Sequence, residues 1–380
     1  MLNRRPTVYV RDANLDYVAQ LDFFDSLKWV DAYNFKDSPG GFELTINADD
    51  LATTWLRDTG SGIVILDGDS VMFSGYTTKI ERQQNSDRSQ YIFTGQDDSG
   101  LLAQRLAHPQ PGSSAPPYST TEYDTRTGVC STILRQYVDV NLGASAVTSR
   151  KDTRVTLGAD PAVGTTVTGN ARWQQLSVLL NELATISGGV GYKIRQSGAN
   201  LEFQTFAPTD LTDTIIFSVG NGTLSTFAYT IESGAGNYVF AGGQNEGTSR
   251  TIAEGYDGDS VTRWGRREIF RDARDDSTAA LLAASITDEL ENSSDKASVT
   301  FQPIDIEQQQ YWTDYQTGDL VTVVIDGVAF QNPVISVECT LNNDGLTVVP
   351  TVATPNNFDT LKMTDQIALH NRRIRNLERR

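Results

Sequence analysis

The chain of 380 residues is 38% hydrophobic and 21% charged, with a formal net charge of −17. That length exceeds one typical hydrophobic core, so we expect about two to four domains. No apolar run approaches the roughly 18 residues of a bilayer span, and the N-terminal segment lacks a charged-then-apolar signal pattern, which excludes a membrane-spanning or conventionally secreted protein.

Residues 1–107 are predicted to form a first β domain. Its strands are short runs rich in β-branched and aromatic residues, at Thr7–Arg11, Asp16–Leu21, Leu27–Asn34, Phe42–Asn47, Ile63–Leu66, Val71–Ile80 and Gln90–Thr94. The sequence Asp67-Gly68-Asp69-Ser70 predicts a hairpin turn, because an Asp-Gly pair readily adopts positive φ. A helical stretch, Ser99–Ala107, closes the domain.

Residues 108–212 are predicted to form an α+β insertion domain, entered through a loop rich in Pro, Ser and Thr. One face of its first helix consists of Val129, Ile133, Tyr137 and Val140. The second helix is predicted to begin at the N-cap Asn170 and to end at Gly188-Gly189. Its apolar face consists of Trp173, Leu176, Leu180 and Leu183. A hairpin of Val190–Arg195 and Asn200–Phe206 follows.

Residues 213–352 are predicted to form a second β domain, similar in kind to the first. Its strands are Thr214–Val219, Leu224–Glu232, Asn237–Gly242, Val261–Phe270, Ala297–Pro303, Leu320–Ile325, Val328–Val337 and Leu346–Val352. A helix from about Asp276 to Glu291 interrupts them, and Asp326-Gly327 and Asp344-Gly345 are predicted hairpin turns. The whole chain is therefore mainly β with an α+β insertion.

Residues 353–380 are predicted to be a linker followed by a coiled-coil-like helix. Side chains recur at steps of four and three along it, at Met363, Ile367, His370, Ile374 and Leu377. This is the a/d spacing of a coiled-coil seam, in which Arg373 and Glu378 take g and e positions where neighbouring helices exchange ion pairs. Because so few heptads are marginal alone, two interpretations stay open: a self-association seam, or an amphipathic helix lying on its own domain.

The charge is unevenly distributed along the chain. Residues 371–380 carry five Arg against one Glu, so residues 1–370 hold 31 − 5 = 26 basic and 48 − 1 = 47 acidic side chains, a net of −21. An acidic surface repels phosphate, which argues against a protein that grips nucleic acid. The same surface is compatible with DNA that passes by without binding.

Histidine and cysteine patterns give little support for catalysis or metal binding. Neither His108 nor His370 has a nucleophile or a metal ligand at useful spacing, which argues against a His-based triad or a zinc peptidase. Cys130 lies in a helical pattern and Cys339 in a strand pattern, and both are expected to be buried reduced thiols. We therefore predict no catalytic, cofactor-binding or metal-binding residues and no cofactor.

Glycine clusters and aspartate pairs are the remaining candidates. Gly234-Ala235-Gly236 and Gly242-Gly243 fit no phosphate-binding context and indicate turns and bulges. Four aspartate pairs are candidates for a calcium site or a glycosidase couple: Asp67/Asp69, Asp97/Asp98, Asp257/Asp259 and Asp275/Asp276. Because no DxDxDG loop is present, turn chemistry and helix capping are the favoured interpretation for each pair.

Several strings, taken in their order and spacing, resemble a family of tail proteins of long-tailed phages that infect actinobacteria, which act as minor tail or baseplate-hub proteins. The strings are YDTRTG (Tyr123–Gly128), VTGNARWQQL (Val167–Leu176), NYVFAGGQNEGTSRT (Asn237–Thr251), WGRRE (Trp264–Glu268) and DYQTGDLVTVVIDG (Asp314–Gly327). With the strand pair around Leu27–Ile46 and the FSGY of Phe73–Tyr76, the resemblance spans nearly the whole chain.

The resemblance implies a homotrimer at the tail tip, in which two tube-like β domains per chain form a pseudo-sixfold ring that continues the hexameric tail tube. It implies a distal tail protein or the tail-tube end as the partner above, and tip, fibre or tape-measure proteins below. DNA would pass through without specific binding, and there would be no stable membrane insertion. The implied location is the virion tail tip or baseplate, after assembly in the host cytoplasm.

The main hypothesis is therefore a structural, non-enzymatic hub that joins the tail tube to tip or fibre proteins and lines the DNA exit channel. One alternative is a tail-associated cell-wall hydrolase, against which hub-like segments account for the whole length. The other is a host-surface glycan-binding tail module, for which the Pro-rich loop at 108–122 and the middle domain are candidates.

Overall fold

The structure is a computed structural model that describes residues 5–34, 40–86, 88–118, 120–274, 276, 278–304, 309–325, 328–343 and 345–353. These residues are mostly β, which confirms the predicted fold class. The predicted terminal helix lies outside the described residues, with its seam positions Met363, Ile367, His370, Arg373, Ile374, Leu377 and Glu378.

The strands are β1 Thr7–Arg11, β2 Tyr17–Gln20, β3 Ser26–Ala32, β4 Gly41–Asn47, β5 Gly62–Asp67, β6 Ser70–Gln84, β7 Ser89–Asp97, β8 Asp124–Val129, β9 Val155–Leu157, β10 Thr166–Ala171, β11 Gly191–Ser197, β12 Asn200–Phe206, β13 Ile216–Ser218, β14 Leu224–Glu232, β15 Tyr238–Gly242, β16 Ile252–Tyr256, β17 Glu268–Asp272, β18 Lys296–Pro303, β19 Leu320–Ile325, β20 Val328–Asn342 and β21 Gly345–Ala353. The helices are α1 Ala52–Leu56, α2 Gly100–Ala103, α3 Cys130–Asn141, α4 Leu176–Ile186, α5 Gly258–Trp264 and α6 Ala279–Asn292, with a 3-10 turn at Gly247–Ser249. Within the described ranges no helix is long and apolar enough to cross a membrane.

The chain divides into two compact units. The first unit combines Met1–Ser225 with Gln302–Thr322 and Pro333–Thr351, and the second is centred on Thr226–Phe301. The first unit is therefore built from chain segments that are far apart in sequence.

One long sheet runs through the first unit, with strands in the order β21-β20-β3-β4-β7-β6-β5-β1-β2. β3 and β4 alternate buried and outward side chains, as expected when one face of a sheet packs on a core. β20, late in the chain, pairs antiparallel with β3, which places Cys339 opposite Trp29. Strands from the two predicted β regions are therefore neighbours in one sheet.

A helical layer completes the core of the first unit. α3 and α4 share one hydrophobic cluster with the three-stranded sheet β9-β12-β11, in which Tyr137, Leu180 and Phe203 are buried. Cys130 begins α3 in this cluster and Cys339 lies in β20. Both are buried thiols outside any disulfide, which confirms that prediction.

The predicted start of the second helix is wrong. Asn170 lies in β10 opposite Thr125 of β8, and its side chain accepts a 2.8 Å hydrogen bond from the Thr125 hydroxyl. Trp173 has a φ of 65°, outside the helical region, and α4 begins only after Gln175. The pairing of β10 with β8 places Asn170 in a strand, and the local sequence pattern does not reveal this pairing. The glycine stop is confirmed, since Gly188 has a φ of 92° just past the end of α4.

One other helix prediction and one strand prediction need correction. The stretch Ser99–Ala107 forms only the short helix α2. The strand predicted over Val261–Phe270 is wrong, because α5 occupies its first half and β17 begins only at Glu268. The reason is an N-cap. The Asp257 carboxylate accepts hydrogen bonds from the backbone N–H groups of Asp259 (3.0 Å) and Ser260 (3.1 Å), which stabilises the start of α5.

In the second unit, the three-stranded sheet β16-β15-β17 carries α6 on one face. Ile286 of α6 is buried against Val239 and Ala241 of β15. Gly255 makes this approach possible, since a Cβ at that position would lie 2.6 Å from Ile286 Cγ2. α6 can therefore pack this closely on β16 because position 255 carries no side chain.

Candidate functional site

Five charged side chains form a buried cluster in the first unit: Arg11, Asp31, Asp97, Asp98 and Arg195. Each of them is at most 3% exposed. They come from β1, β3, the end of β7 and β11, which are far apart along the chain. The cluster therefore ties the N-terminal strands to the middle hairpin through charge.

Arg195 organises one half of the cluster. Its guanidinium pairs with Asp31, and its Nη1 atom lies 3.8 Å from Asp97 Oδ2. Asp31 also accepts hydrogen bonds from the Tyr311 hydroxyl (2.7 Å) and the Thr317 hydroxyl (3.0 Å). Burial, together with the Asp31 charge, raises the pKa of Tyr311 well above its ordinary value, so this phenol remains a donor.

Arg11 organises the other half. Its Nη1 atom donates to Asp98 Oδ2 and to Gln196 Oε1, both at 2.9 Å. The Ser74 hydroxyl donates to the same Asp98 oxygen at 2.6 Å and accepts from the Gln196 backbone N–H at 2.9 Å. Gln196 thereby fixes the β11–β12 hairpin to β1 and β6.

The third carboxylate sets the charge balance of the cluster. Burial raises the pKa of Asp97 to about 7, although the Arg195 charge acts against this shift. The Asp97 carboxyl is therefore mostly protonated below that pH and carries a negative charge above it. Because all five side chains are almost completely buried, the cluster's main role is to organise the fold.

A pocket of about 740 Å³ adjoins the cluster in the first unit. Lys193 and Arg195 line it from β11, Gln204 and Phe206 from β12, and Trp312 and Asp319 from the later segment. The Lys193 ammonium lies 5.3 Å from the Phe206 ring centroid and 5.1 Å from that of Trp312. Burial lowers the pKa of Lys193 to about 8, so the amine is still mostly protonated at neutral pH.

An open aromatic face is the main surface feature of the second unit. We use this name for the side of β16-β15-β17 opposite α6, which carries Tyr238, Phe240, Ile252, Glu254, Tyr256, Glu268, Phe270 and Asp272. Tyr256 is 60% and Phe270 56% exposed. The Tyr238 and Tyr256 rings stack with centroids 5.3 Å apart, and the Arg266 guanidinium lies 3.6 Å from the Tyr238 centroid. Aromatic and arginine side chains of this kind are enriched at protein interfaces.

The structure gives the candidate histidine a packing role. His108 is buried, and its Nδ1 atom accepts a 3.1 Å hydrogen bond from the Gln110 backbone N–H. Its ring centroid lies 4.7 Å from that of Tyr118 and 4.4 Å from that of Trp173. Burial, with a smaller effect of the Arg150 charge, lowers the pKa of this imidazole.

The aspartate pairs take different roles. Asp257 caps α5 and Asp67 closes the β5–β6 hairpin opposite Ser70, as turn and capping chemistry predict. Asp276 accepts a hydrogen bond from the Ser285 hydroxyl at 2.6 Å, but the N-cap of α6 is Thr278. The pair Asp97/Asp98 does more than turn and capping chemistry predicts: the Asp97 carboxylate accepts from the Gly100 backbone N–H at the start of α2, and both carboxylates also belong to the buried cluster. Among the described residues, no group of three or more His, Cys, Asp or Glu side chains is arranged to hold a metal ion.

The glycine clusters mark close approaches of the chain. A Cβ at Gly234 would lie 2.6 Å from the Ser294 carbonyl carbon, and one at Gly242 2.6 Å from Arg250 Cζ. Gly242 lies inside β15 and neither glycine has a positive φ. The space is therefore taken by neighbouring chain and not by a phosphate.

Sequence reasoning missed the charge cluster, but one signal pointed to it. Asp31 shares the side of β3 with Leu27 and Trp29, which are both buried. A carboxylate at the third buried position of an alternating strand demands a partner. Nothing local identifies that partner as Arg195.

Three solved phage tail proteins have a similar fold. The 43 kDa tail protein of prophage MuSo2 from Shewanella oneidensis is 13% identical with a TM-score of 0.57, covering 93% of this chain and 99% of that one. The tail protein from Neisseria meningitidis MC58 is 13% identical with a TM-score of 0.55, covering 92% and 96%. Prophage tail protein gp18 from Listeria monocytogenes EGD-e is 11% identical with a TM-score of 0.50, covering 96% and 99%. The fold is that of phage tail proteins.

The family is shown by the sequence itself. No curated protein matches this chain. The family model of the Siphovirus ReqiPepy6 Gp37-like protein matches residues 7–352. The chain belongs to this family, which confirms the resemblance to tail or baseplate proteins of siphovirus type. It is a structural component of a phage tail.

Proposed function

We propose that this chain is the hub of the tail tip: a homotrimer whose β regions, at 1–107 and 213–352, ring the DNA exit channel. The hub joins the tail tube, through its end or a distal tail protein, to tip, fibre or tape-measure proteins. The terminal helix, within 353–380, associates the three copies through the seam of Ile367, Ile374 and Leu377. The hub assembles in the host cytoplasm and acts by geometry without catalysis.

The pairing of β20 with β3 is the observation that carries this proposal. It puts strands of the early and late β regions side by side in one sheet. A chain that presents two such regions supplies six of them as a trimer, which matches a sixfold tube end. Closed rotational symmetry is also the usual state of soluble homo-oligomers.

An open strand edge supports contacts between copies. β6 pairs with β5 as far as Tyr76 and with β7 as far as Gln84. From Thr78 to Gln84, the side of β6 away from β7 has no strand partner within the described part of the chain. Unpaired edge groups are a template for pairing with another chain, and a ring of copies satisfies them.

The net negative charge of the chain supports the proposed role of the ring as a DNA exit channel. With 48 acidic against 31 basic residues, the protein repels the phosphates of a passing duplex. DNA can then slide through the ring without being held by phosphate contacts.

The test is the solution mass of the full chain, measured by light scattering after size-exclusion chromatography. We expect three copies of the 41.6 kDa chain. A chain ending at Val352 and the full-length variant Ile374→Glu should both be monomeric, because both remove the seam. The variant Ala368→Glu, at a b position outside the a/d seam, is the matched control and should remain trimeric. A wild-type chain that stays monomeric at every concentration contradicts the proposal.

A further inference from the structure

Lys193 is a cation whose charged form is favoured from a distance by the charges of Asp31, Asp319 and Asp97. It lines the pocket in the first unit, and no carboxylate of the described residues lies within ion-pair distance of its ammonium. The rings of Phe206 and Trp312 flank the ammonium, with ring centroids 5.3 and 5.1 Å from Lys193 Nζ. Rings stabilise an ammonium through their π-electrons but accept no conventional hydrogen bond. The ammonium therefore keeps its N–H donors available to an anion that enters the pocket.

The backbone around Trp312 holds this arrangement in place. Trp312 has a φ of 75°, a conformation that side-chain-bearing residues rarely adopt. Its backbone N–H donates a 2.8 Å hydrogen bond to the Tyr315 carbonyl, which fixes the turn. Such strain persists where the surroundings over-determine it and is concentrated at functional positions. The strained turn is what places the indole against Lys193.

Arg195 lines the same pocket beside Lys193. It is 3% exposed and belongs to the buried charge cluster, where its guanidinium pairs with Asp31 and its Nη1 atom lies 3.8 Å from Asp97 Oδ2. Lys193 and Arg195 lie two residues apart on β11, so both side chains point to the same side of the strand. Two carboxylates line the pocket, Asp69 and Asp319, and Asp319 already accepts from the backbone N–H groups of Thr209 (3.0 Å) and Gln316 (2.8 Å). Because Arg195 is committed to the cluster, Lys193 is the cation that the pocket offers to an incoming anion.

We propose that Lys193 and its two rings receive a carboxylate side chain from a neighbouring copy of this chain. This inference rests on the proposed function, because it needs copies side by side. Charge complementarity selects this occupant: the chain has 48 acidic residues against 31 basic ones, so its own surface is the acidic partner a trimer supplies. The lining is rich in Gln, Ser and Thr, which suits a polar loop better than an apolar small ligand.

Burial explains why the occupant matters. Burial lowers the pKa of Lys193 to about 8 in the single chain. An anion placed against the ammonium favours its charged form and raises that pKa again. The ion pair and assembly therefore stabilise each other.

The test is zero-length carbodiimide coupling, which joins an amine and a carboxylate in contact as an amide, with loss of water. Wild-type chain grown with ¹⁴N is mixed with chain grown with ¹⁵N, assembled and coupled, and linked peptides are read by mass spectrometry. We expect mixed-isotope links between Lys193 and an Asp or Glu. Lys28 is the internal control, because its ammonium pairs with Glu338 of its own chain at 2.9 Å.

Variants measure what the ion pair contributes. Lys193→Gln should weaken assembly by about tenfold or more, because it leaves the incoming carboxylate unpaired. Lys193→Arg should retain most of the assembly, and the matched control Lys28→Gln should leave it unchanged. A trimer without Lys193 links, in which Lys193→Gln assembles like wild type, overturns this inference and leaves the hub intact. A wild-type chain that never assembles overturns both proposals.

Discussion

Two three-stranded sheets of this protein each pack one side on helices but differ in the side chains on their other side. In the first unit, β9-β12-β11 has an apolar side on α3 and α4, and its other side carries Arg195 in the enclosed charge cluster. In the second unit, β16-β15-β17 has an apolar side on α6, and its other side leaves aromatic rings in solvent. Charges are enclosed in one sheet and aromatic rings are exposed in the other.

This contrast teaches which side chains report on function. Buried polar groups and exposed apolar groups both cost free energy, so each needs a compensating partner. The cluster finds its partners within the first unit, as the Arg11–Asp98 and Arg195–Asp31 pairs show. The open aromatic face has no such cover among the described residues of the second unit. The first pattern therefore indicates fold stability, and the second indicates a contact surface.

The largest expected effect is the loss of one partner from the enclosed cluster. Asp31→Ala leaves the Arg195 charge buried and two hydroxyls without their acceptor, so the free energy of unfolding should fall by about 3–5 kcal/mol. Urea unfolding followed by circular dichroism measures this. The matched control is Lys28→Gln, which removes the half-exposed Lys28–Glu338 pair and should cost less than about 1 kcal/mol. Equal losses in the two variants would contradict the assignment of the cluster as the tie of the first unit.

A pH dependence should distinguish Asp97 from the other carboxylates. Its pKa is raised from 3.8 to about 7, so the folded state binds a proton that the unfolded chain has already lost. The stability from this group is therefore present below pH 3.8 and is lost as the pH rises towards 7, with a slope of at most about 1.4 kcal/mol per pH unit. Asp97→Asn keeps the neutral form and should remove this slope. The lowered pKa of Asp152 gives the opposite slope in both proteins, so only the difference between them is informative.

The fold was largely predictable where a pattern is local. The alternating strands, the Asp67-Gly68 turn and the glycine stop after α4 follow from neighbouring residues. Asn170 failed because a strand partner from β8 overrides its capping preference. The Arg195–Asp31 ion pair could not be predicted for the same reason. The two residues are 164 positions apart in the sequence, and no local rule connects them. The open aromatic face was hidden because the strand pattern cannot say which side a helix will cover.

The smallest expected effect separates the two sides of the second sheet. Tyr256→Ser removes an exposed ring and its stacking on Tyr238, so unfolding free energy should fall by no more than about 1 kcal/mol. Ile286→Ala, on the covered side of the same sheet, should cost about 2–5 kcal/mol, because it opens a cavity beneath α6. Urea unfolding measures both variants. If Tyr256→Ser cost as much as Ile286→Ala, the ring would be part of the core of the second unit. A small cost instead means that folding does not need these rings, so their exposure has to be explained by what the assembled tail places against them.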